Sequence, residues 1–283
     1  MTISEGIAVE IRNLSKSFGS GSARVDALIE IDRTPLHCWS KYVDPAREDE
    51  EPTAAMRFGT LVHALVLTPA TFADEFVLAD SINRRTKDGQ AEWAALAATG
   101  QQIVTGKEYR TALEIVKAIQ RHPVASGLFR VGEPEKTLVV EREPHRWPLK
   151  GRLDWLNPQP AIVELKTATD ASREGFLRAV YRHGYHLSAA YYRMLVGRAT
   201  GTPEVDIPHT FVVVETQRPY AVAVYPTSER LLAEGRALWE TNLARFDACW
   251  TTNDWPSYPV ESLEPGVGGG RPRFEVEEGE VEL

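Results

Sequence analysis

The chain has 283 residues, of which 43% are hydrophobic and 25% are charged, and its formal net charge is −8. This is the composition of a globular protein with room for one large domain or two small ones. No apolar run approaches the roughly 18 residues of a transmembrane helix. Two cysteines are too few for a disulfide framework, an iron–sulfur cluster or a zinc ribbon. We therefore expect a cytoplasmic protein that has no membrane partner.

The negative charge is concentrated in two short stretches. Glu264–Leu283 carries six glutamates against two arginines, and Arg47–Glu51 carries four acidic residues against one arginine. The rest of the chain is close to neutral, so the net charge does not exclude nucleic acid as a partner. We expect residues 264–283 to form a disordered acidic tail. Residues 1–24, which contain a Gly-Ser-Gly-Ser stretch, are expected to form a flexible N-terminal segment.

The first half of the chain is predicted to be mainly helical. Apolar residues recur there at helical spacing, and Thr34 followed by Pro35 is typical of a helix start, with threonine as the cap and proline in the first turn. The predicted segments are helices at Asp26–Ile31, after Thr34-Pro35, at Phe58–Val66 and at Tyr109–Ile119, and loops at Pro45–Thr53 and Ser81–Gly89.

The pattern changes to short β-type runs in the second half. The predicted order is strands at Thr137–Glu141, Leu149–Leu156 and Ala161–Leu165, helices at Ala171–Tyr181 and Tyr185–Arg198, strands at His209–Glu215 and Tyr220–Tyr225, and a last helix at Ser228–Trp250. This order predicts an α/β (or α+β) fold in which helices flank a mixed sheet. We expect a single domain over residues 25–263, with a helical N-terminal part at 25–130 and a core at 131–263.

Two acidic residues and a lysine on neighbouring predicted strands are the main candidates for chemistry. Asp154 lies near the end of one strand and Glu164 near the end of the next, so a tight turn between them can bring both carboxylates to one end of the sheet. The two-residue period of a strand puts Glu164 and Lys166 on one face and Leu165 toward the core. Two carboxylates and a backbone carbonyl suit Mg²⁺ or Mn²⁺, and a nearby lysine can position a water and offset charge on a phosphate. Taken alone, these residues also fit an exposed aspartate beside a surface Glu–Lys pair.

Five blocks of sequence, in order, carry a resemblance to a known family. They are Thr34–Trp39, Phe58–Leu67, Leu149–Trp155, Ile162–Ser172 and Gly184–Tyr192. They are similar to the N-terminal Ser-Pro-x-His-x-Trp block, the Gly-x-x-x-His helix, the first carboxylate strand, the signature strand and the Gln-x-x-x-Tyr helix of one nuclease group. That group is the RecE-like exodeoxyribonuclease (exodeoxyribonuclease VIII) branch of the PD-(D/E)xK nucleases. The resemblance implies a restriction-endonuclease-like core.

The resemblance also implies roles for individual residues. Asp154 and Glu164 would bind metal together with the Leu165 carbonyl and His63, and Lys166 would be the catalytic lysine. On a helical wheel His63 lies about 130° from the centre of its helix's apolar stripe, so it can face a cleft, although a surface histidine has the same pattern.

Three further positions near the expected site resemble family residues less closely. Glu135 resembles an additional acidic residue near the metals, with Glu133 as the competing candidate. Ser188 stands where the family usually has glutamine, whereas Tyr192 is kept one turn later on the same face. Because serine is shorter than glutamine, the way DNA or Lys166 is held is open.

The implied function is a Mg²⁺-dependent DNA exonuclease that uses one or two ions, with Mn²⁺ as a substitute. It would hydrolyse phosphodiester bonds from duplex DNA ends in the 5′→3′ direction and produce single strands for recombination and repair. The resemblance further implies a ring-shaped homo-oligomer and a single-strand annealing protein of RecT-like type as partner. Six basic residues are candidates for phosphate contacts: Arg84, Arg85, Lys87, Arg173, Arg178 and Arg182.

Three alternatives stay open at this point. The first is a structure-specific or restriction-type endonuclease of the same fold, which would not need a DNA end. The second is a catalytically impaired DNA-end-binding module, which Ser188 favours. The third is a protein unrelated to nucleic acids in which the motif matches are accidental.

Overall fold

The computed structural model describes residues 23–48, 50–80, 82–142 and 148–260. The predicted acidic tail and all but the last two residues of the predicted N-terminal segment lie outside these ranges. The helices are α1 Ala23–Arg33, α2 Pro35–Cys38, α3 Ala54–Leu67, α4 Phe72–Glu75, α5 Lys87–Ala97, α6 Gly106–Arg121, α7 Ala125–Leu128, α8 Arg173–Arg182, α9 Tyr185–Thr200 and α10 Glu229–Thr252. The strands are β1 Phe76–Ala79, β2 Gln102–Thr105, β3 Glu133–Val140, β4 Leu149–Asn157, β5 Ala161–Ala168, β6 His209–Glu215 and β7 Val222–Pro226. Shorter turns are π-helical at Trp39–Val43 and 3₁₀ at Pro69–Thr71 and Glu204–Asp206.

A five-stranded mixed sheet organises the second half of the chain. Its strand order is β3-β4-β5-β6-β7. The pair β5–β6 is parallel and the other three pairs are antiparallel. The long connection through α8 and α9 makes the parallel pair possible, because parallel strands need a crossover. The predicted fold class, a mixed sheet flanked by helices, is confirmed.

Two hydrophobic clusters cover the two faces of this sheet. Ile162 and Phe211 belong to a cluster with residues of α1, α9 and α10. Leu165 and Val212 belong to a second cluster with residues of α3 and α6. The two central strands, β5 and β6, are therefore buried on both faces, as expected for strands covered by helices on each side. Glu164 is also buried within this sheet, so the groups around its carboxylate determine its charge.

The start of α2 follows the cap that the sequence predicts. Thr34 caps α2 by accepting a hydrogen bond from the His37 N–H, and Pro35 occupies the first turn. Ser228 caps α10 in the same way. Helix α9, which is apolar almost all round, is buried over most of its length. In the part of the chain that the structure describes, no helix combines the length and the apolar character that crossing a membrane requires.

The structure of the first half differs from the expectations in two places. The predicted loop at Ser81–Gly89 ends earlier, because Thr86 caps α5 by accepting a hydrogen bond from the Gly89 N–H at 3.1 Å. The first half is also not purely helical, since β1 and β2 form a parallel two-stranded sheet. Each of these strands has four residues, which is too short for an alternating pattern to stand out from the helical residues around it.

Candidate active site

The candidate site lies where the neighbouring strands β4 and β5 separate. Their antiparallel pairing begins beside the connecting turn and ends at Trp155↔Val163. Asp154 and Glu164 are the next residues in register. In place of a backbone pair, the Leu165 N–H donates to Asp154 Oδ2 at 2.8 Å, and the Asp154 N–H faces Glu164 Oε1 at 3.4 Å. The expected position of the carboxylates near strand ends is thus corrected: both lie inside strands, at the fork between them.

A change of face in β3 and β4 brings Glu135 to the same fork. The register of these strands places Glu135 opposite Asp154. Leu153 and Trp155, which flank Asp154, pack in different core clusters, although strict alternation would place them on one face. Glu135 has a φ of 51°, a left-handed conformation that costs a non-glycine residue roughly 1–2 kcal/mol. Sequence reasoning placed Glu135 just before the first strand; it lies within β3, in a backbone conformation that no propensity predicts.

Helix α3 brings His63 to these carboxylates. Leu61 and Val62 of this helix are buried in the core, whereas His63 lies off that apolar surface and lines the cleft. Its Nδ1 is 3.8 Å from Asp154 Oδ1. The backbone of Leu165 accepts a hydrogen bond from the same ring. The residue that the sequence singled out on α3 is therefore the one that faces the strands.

Helix α9 forms the opposite wall of the cleft. It begins at Gly184, whose φ is 67°, and a Cβ at this position would lie 3.0 Å from Cγ1 of Ile29. Only glycine combines this backbone conformation with so close an approach of α1. Tyr185, Ser188 and Tyr192 follow at intervals of three and four residues, and all three line the cleft. The cleft has a volume of about 550 Å³.

Lys166 is held at the centre of the fork. Its Nζ lies 2.9 Å from Glu164 Oε2 and 3.7 Å from Asp154 Oδ2. The same ammonium group lies 5.3 Å from the ring centroid of Tyr185, within the range of a cation–π interaction. Burial favours the neutral amine, but the carboxylates of Glu164 and Asp154 outweigh it and raise the pKa of Lys166. Lys166 is therefore an ammonium group at neutral pH and can donate hydrogen bonds but cannot accept a proton.

The two central carboxyl groups have opposite pKa shifts. Burial and, after it, the negative charge of Asp154 raise the pKa of Glu164 to about 7. Burial also acts on Asp154, but Lys166, His63 and the Leu165 N–H together hold its pKa below the usual value. At neutral pH the pair therefore carries between one and two negative charges in a buried fork. Such a pair favours the binding of a further cation in addition to Lys166.

The donor set fits a divalent metal ion. One ring nitrogen of His63 and one carboxylate oxygen each of Glu135 and Asp154 lie within 4.8 Å of one another. Burial lowers the pKa of His63, so the imidazole is neutral at pH 7 and has a lone pair for a metal. A nitrogen and several hard oxygens are ligands that Mg²⁺ or Mn²⁺ accepts. Glu164 lies next to these three residues, but its carboxylate is paired with Lys166.

Several residues that the sequence offered for metal or phosphate contacts lie outside the cleft. The carboxylate of Glu133 lies 2.6 Å from the Lys136 ammonium and does not line the cleft, unlike Glu135. Arg178 is paired with Glu174 and Asp170, and Arg84 stacks on Trp93. None of the six basic residues proposed from the sequence for phosphate contacts lines this cleft.

Among the cleft residues to which the sequence analysis assigned no role are an arginine and a tyrosine. Arg152 lies two residues before Asp154 and forms an ion pair with Glu135, Nε to Oε2, at 2.8 Å. Tyr185 lies three residues before Ser188 and contacts Lys166. A signal existed for both, since a spacing of two in a strand and three in a helix keeps residues near one another. Neither residue type is distinctive enough at such a position to be selected by spacing alone.

Comparison with known proteins identifies the family and supports the fold. A family described as a PDDEXK-like domain of unknown function (DUF3799) matches residues 27–264. No curated protein matches the chain. A crystal structure of a protein from Eubacterium rectale, named provisionally as an exonuclease, is 16% identical, covers 92% of this chain and 96% of its own, and superposes with a TM-score of 0.60. At this identity the likeness concerns the fold.

Two further crystal structures share less of the architecture. A phage-related exonuclease from Haemophilus somnus is 16% identical over 60% of this chain and 85% of its own, with a TM-score of 0.30. An alkaline exonuclease from Laribacter hongkongensis is 16% identical over 66% of this chain and 96% of its own, with a TM-score of 0.29.

Proposed function

The chain belongs to the PDDEXK-like family DUF3799, and from this premise we propose that it is a metal-dependent DNA exonuclease of RecE-like type. The observation that carries the proposal is the convergence of Glu135, Asp154 and Glu164 at one fork with His63 and Lys166. The Eubacterium rectale protein, which shares the fold, is named provisionally as an exonuclease, and that name supports the same activity. No single one of these residues would carry the argument, because isolated acidic clusters are common.

The proposed division of roles follows the geometry. His63, Glu135 and Asp154 would hold a divalent ion, and Glu164 with the Leu165 carbonyl would complete its surroundings or hold a second ion. The bound cation would supply Lewis-acid polarisation of the phosphodiester and neutralise charge that develops on it. Lys166, as an ammonium group, orients the attacking water and donates to the phosphate oxygens. Attack of water on phosphorus breaks the bond to O3′, so that the terminal nucleotide leaves with a 3′-hydroxyl group and the new 5′-phosphate stays on the shortened strand; the water supplies the hydroxyl on phosphorus and the proton on O3′.

Helix α9 supplies the remaining residues of the proposed site. Burial raises the pKa of Tyr192 well above its ordinary value, so its hydroxyl stays protonated and can donate a hydrogen bond. Ser188 lies one turn earlier on the same wall. Its short side chain leaves room for substrate where a glutamine would reach further toward Lys166. We propose that Tyr192 and Ser188 contact the DNA strand and bind no metal.

Other parts of the proposal rest on the resemblance to RecE-like nucleases. They are the preference for Mg²⁺, the 5′→3′ direction on duplex ends, the production of single strands for recombination, a ring-shaped homo-oligomer and a single-strand annealing partner. The domain boundaries at residues 25, 131 and 263 are likewise proposals. Labelling either the 5′ or the 3′ end of a duplex shows the direction of degradation directly, and light scattering measures the number of subunits in the oligomer.

The activity itself is tested with the purified full chain on linear duplex DNA. We expect acid-soluble nucleotides to be released with Mg²⁺ or Mn²⁺, none to be released with EDTA, and none from Lys166→Ala or Asp154→Asn. Covalently closed circular DNA should stay intact, because an exonuclease needs an end. Cleavage of the circle would favour the endonuclease alternative. Tight binding of ends without cleavage would favour the impaired module, and equal activity of Lys166→Ala and wild type would refute the proposed site.

A further inference from the structure

We propose that Arg152 is a second phosphate-binding cation of the cleft, which contacts the phosphodiester from the side opposite Lys166. The inference rests on the proposed function, because it names how the same site holds the DNA backbone. Arg152 and Lys166 are the arginine and the lysine that line the cleft. Their positions relative to the carboxylates carry the argument.

The strand directions place the two cations on either side of the fork. Arg152 lies two residues before Asp154 on β4, and Lys166 lies two residues after Glu164 on β5. Because β4 and β5 are antiparallel, both cations lie beyond the carboxylates in the same direction, away from the turn that joins the strands. The backbone ladder has already ended there, so the space between them is open to the cleft. A phosphate over the acidic residues would be flanked by one cation from each strand.

The contacts of Arg152 leave part of its guanidinium for a ligand. Its ion pair with Glu135 is made through Nε. Within the described ranges, its terminal nitrogens form no hydrogen bond, and 41% of the side chain is exposed. The planar guanidinium presents further donors in the fork geometry that matches phosphate oxygens. By contrast, the fully buried Arg193 is bonded at Nε and Nη1 to Glu204 and Glu229.

A purely structural role is the competing explanation. Arg152 could act only by holding Glu135, whose left-handed backbone conformation aims the carboxylate at His63. In that case loss of Arg152 should impair metal binding in the same way as loss of the Glu135 carboxylate. Contact with phosphate instead predicts a loss of DNA affinity that does not need the metal. The two explanations therefore differ in a measurement that involves no catalysis.

The test compares Arg152→Gln, Arg152→Lys, Glu135→Gln and the control Arg230→Gln in the full-length protein. Arg230 forms an exposed ion pair with Glu234 on α10, at 3.3 Å with 89% of its side chain exposed, so its loss changes the net charge equally. Binding of a short fluorescent duplex is measured in EDTA at several salt concentrations. Binding of Mn²⁺ alone is measured by calorimetry.

We expect Arg152→Gln to weaken duplex binding about tenfold and to lower the slope of log K against log salt by about 1, as loss of one phosphate contact does. Arg152→Lys should recover most of the slope because it keeps the charge, and Arg230→Gln should match wild type. Mn²⁺ affinity should fall in Glu135→Gln, which removes a proposed ligand oxygen, and Arg152→Gln should show its loss of duplex affinity in EDTA whatever its Mn²⁺ affinity is.

The inference is overturned if Arg152→Gln binds duplex like wild type in EDTA, or if its only defect is the loss of Mn²⁺ affinity that Glu135→Gln shows. Failure of the proposed function has a different signature. If wild-type protein cleaves no DNA with any divalent ion but loses salt-dependent binding when Arg152 is replaced, the nuclease proposal fails and the phosphate contact stands. If wild-type protein does not bind duplex at all, both are refuted.

Discussion

The electrostatics of the fork can be tested without any substrate, through the stability of the metal-free protein. Glu164 is the group to perturb, because its side chain is only 5% exposed and its pKa is raised to about 7. Burial is the main cause and the charge of Asp154 the second. Replacing Glu164 by glutamine keeps the shape of the protonated side chain and removes its titration. Lys166 keeps Asp154 as a partner in this variant.

The size of the effect follows from the pKa. A rise from the ordinary value of 4.5 to about 7 in the folded state corresponds to about 3 kcal/mol of unfolding free energy. Because the folded-state pKa is the higher one, this contribution is fully present below pH 4.5 and is lost as the pH rises through about 7. The metal-free wild type should therefore lose about 3 kcal/mol more than Glu164→Gln between pH 4.5 and pH 8.

Urea and thermal unfolding in EDTA across this pH range measure the difference. For a chain of this size, the melting temperature of wild type, taken relative to that of Glu164→Gln, should fall by roughly 6–12 °C as the pH rises over this range. Glu133→Gln is the matched control, since it removes one carboxylate that is 63% exposed beside Lys136 and lies outside the fork; an equal effect in both variants would mean that the effect is not specific to the fork. Parallel curves for wild type and Glu164→Gln would refute the reasoning, because they would mean that Glu164 ionises as easily in the folded protein as in the unfolded chain.

Three other predictions concern the walls and ligands of the cleft. First, Mn²⁺ should raise the melting temperature of wild type, and Asp154→Asn or His63→Ala should reduce the rise at least twofold; an unchanged rise would exclude them as ligands. Second, Gly151→Ala should cost about 1–3 kcal/mol in urea unfolding, because the new Cβ would lie 2.6 Å from Leu195 and 2.9 Å from Tyr192. The control Gly127→Ala, which meets nothing within 4 Å, should be neutral, and equal stability of the two variants would contradict this packing. Third, Tyr185→Leu should lower kcat several-fold with little change in KM, and Tyr185→Phe should restore it, because the ring and not the hydroxyl faces Lys166 at 5.3 Å. Failure of phenylalanine to rescue would show that the cation–π contact is unimportant.

Local patterns predicted much of the architecture. The strand at His209–Glu215 has the bounds read from the sequence, because a run of β-branched residues between turn signals is a local property. The cap at Thr34 was also readable, since a short hydroxyl before a helix satisfies a free N–H within the same turn. The pair β1–β2 could not be found in this way, because each strand is shorter than the pattern needed to recognise it.

The candidate site was likewise predictable only in part. Spacing brought Glu164 and Lys166 together as a pair, and the structure adds that Lys166 also lies 3.7 Å from Asp154. Spacing could not choose between Glu133 and Glu135. The choice depends on the face change at Leu153–Trp155 and on the left-handed backbone of Glu135, both of which arise where three strands meet. Arg152 could not be selected from the sequence alone, because an arginine in a strand is more often a solvated charge.

The sequence by itself determined most of the helices and strands, although not β1 and β2, and which acidic and basic residues are available, because periodicity and caps act over a few residues. Only the tertiary structure decided that β4 and β5 part at Asp154 and Glu164, that Glu135 enters from β3, and that His63 reaches them from α3. Those placements are set by strand register and by packing between residues far apart in the chain. The charges of the fork take their pKa shifts from that packing, since burial and neighbouring groups, and not residue type, determine how strongly a carboxylate needs a cation.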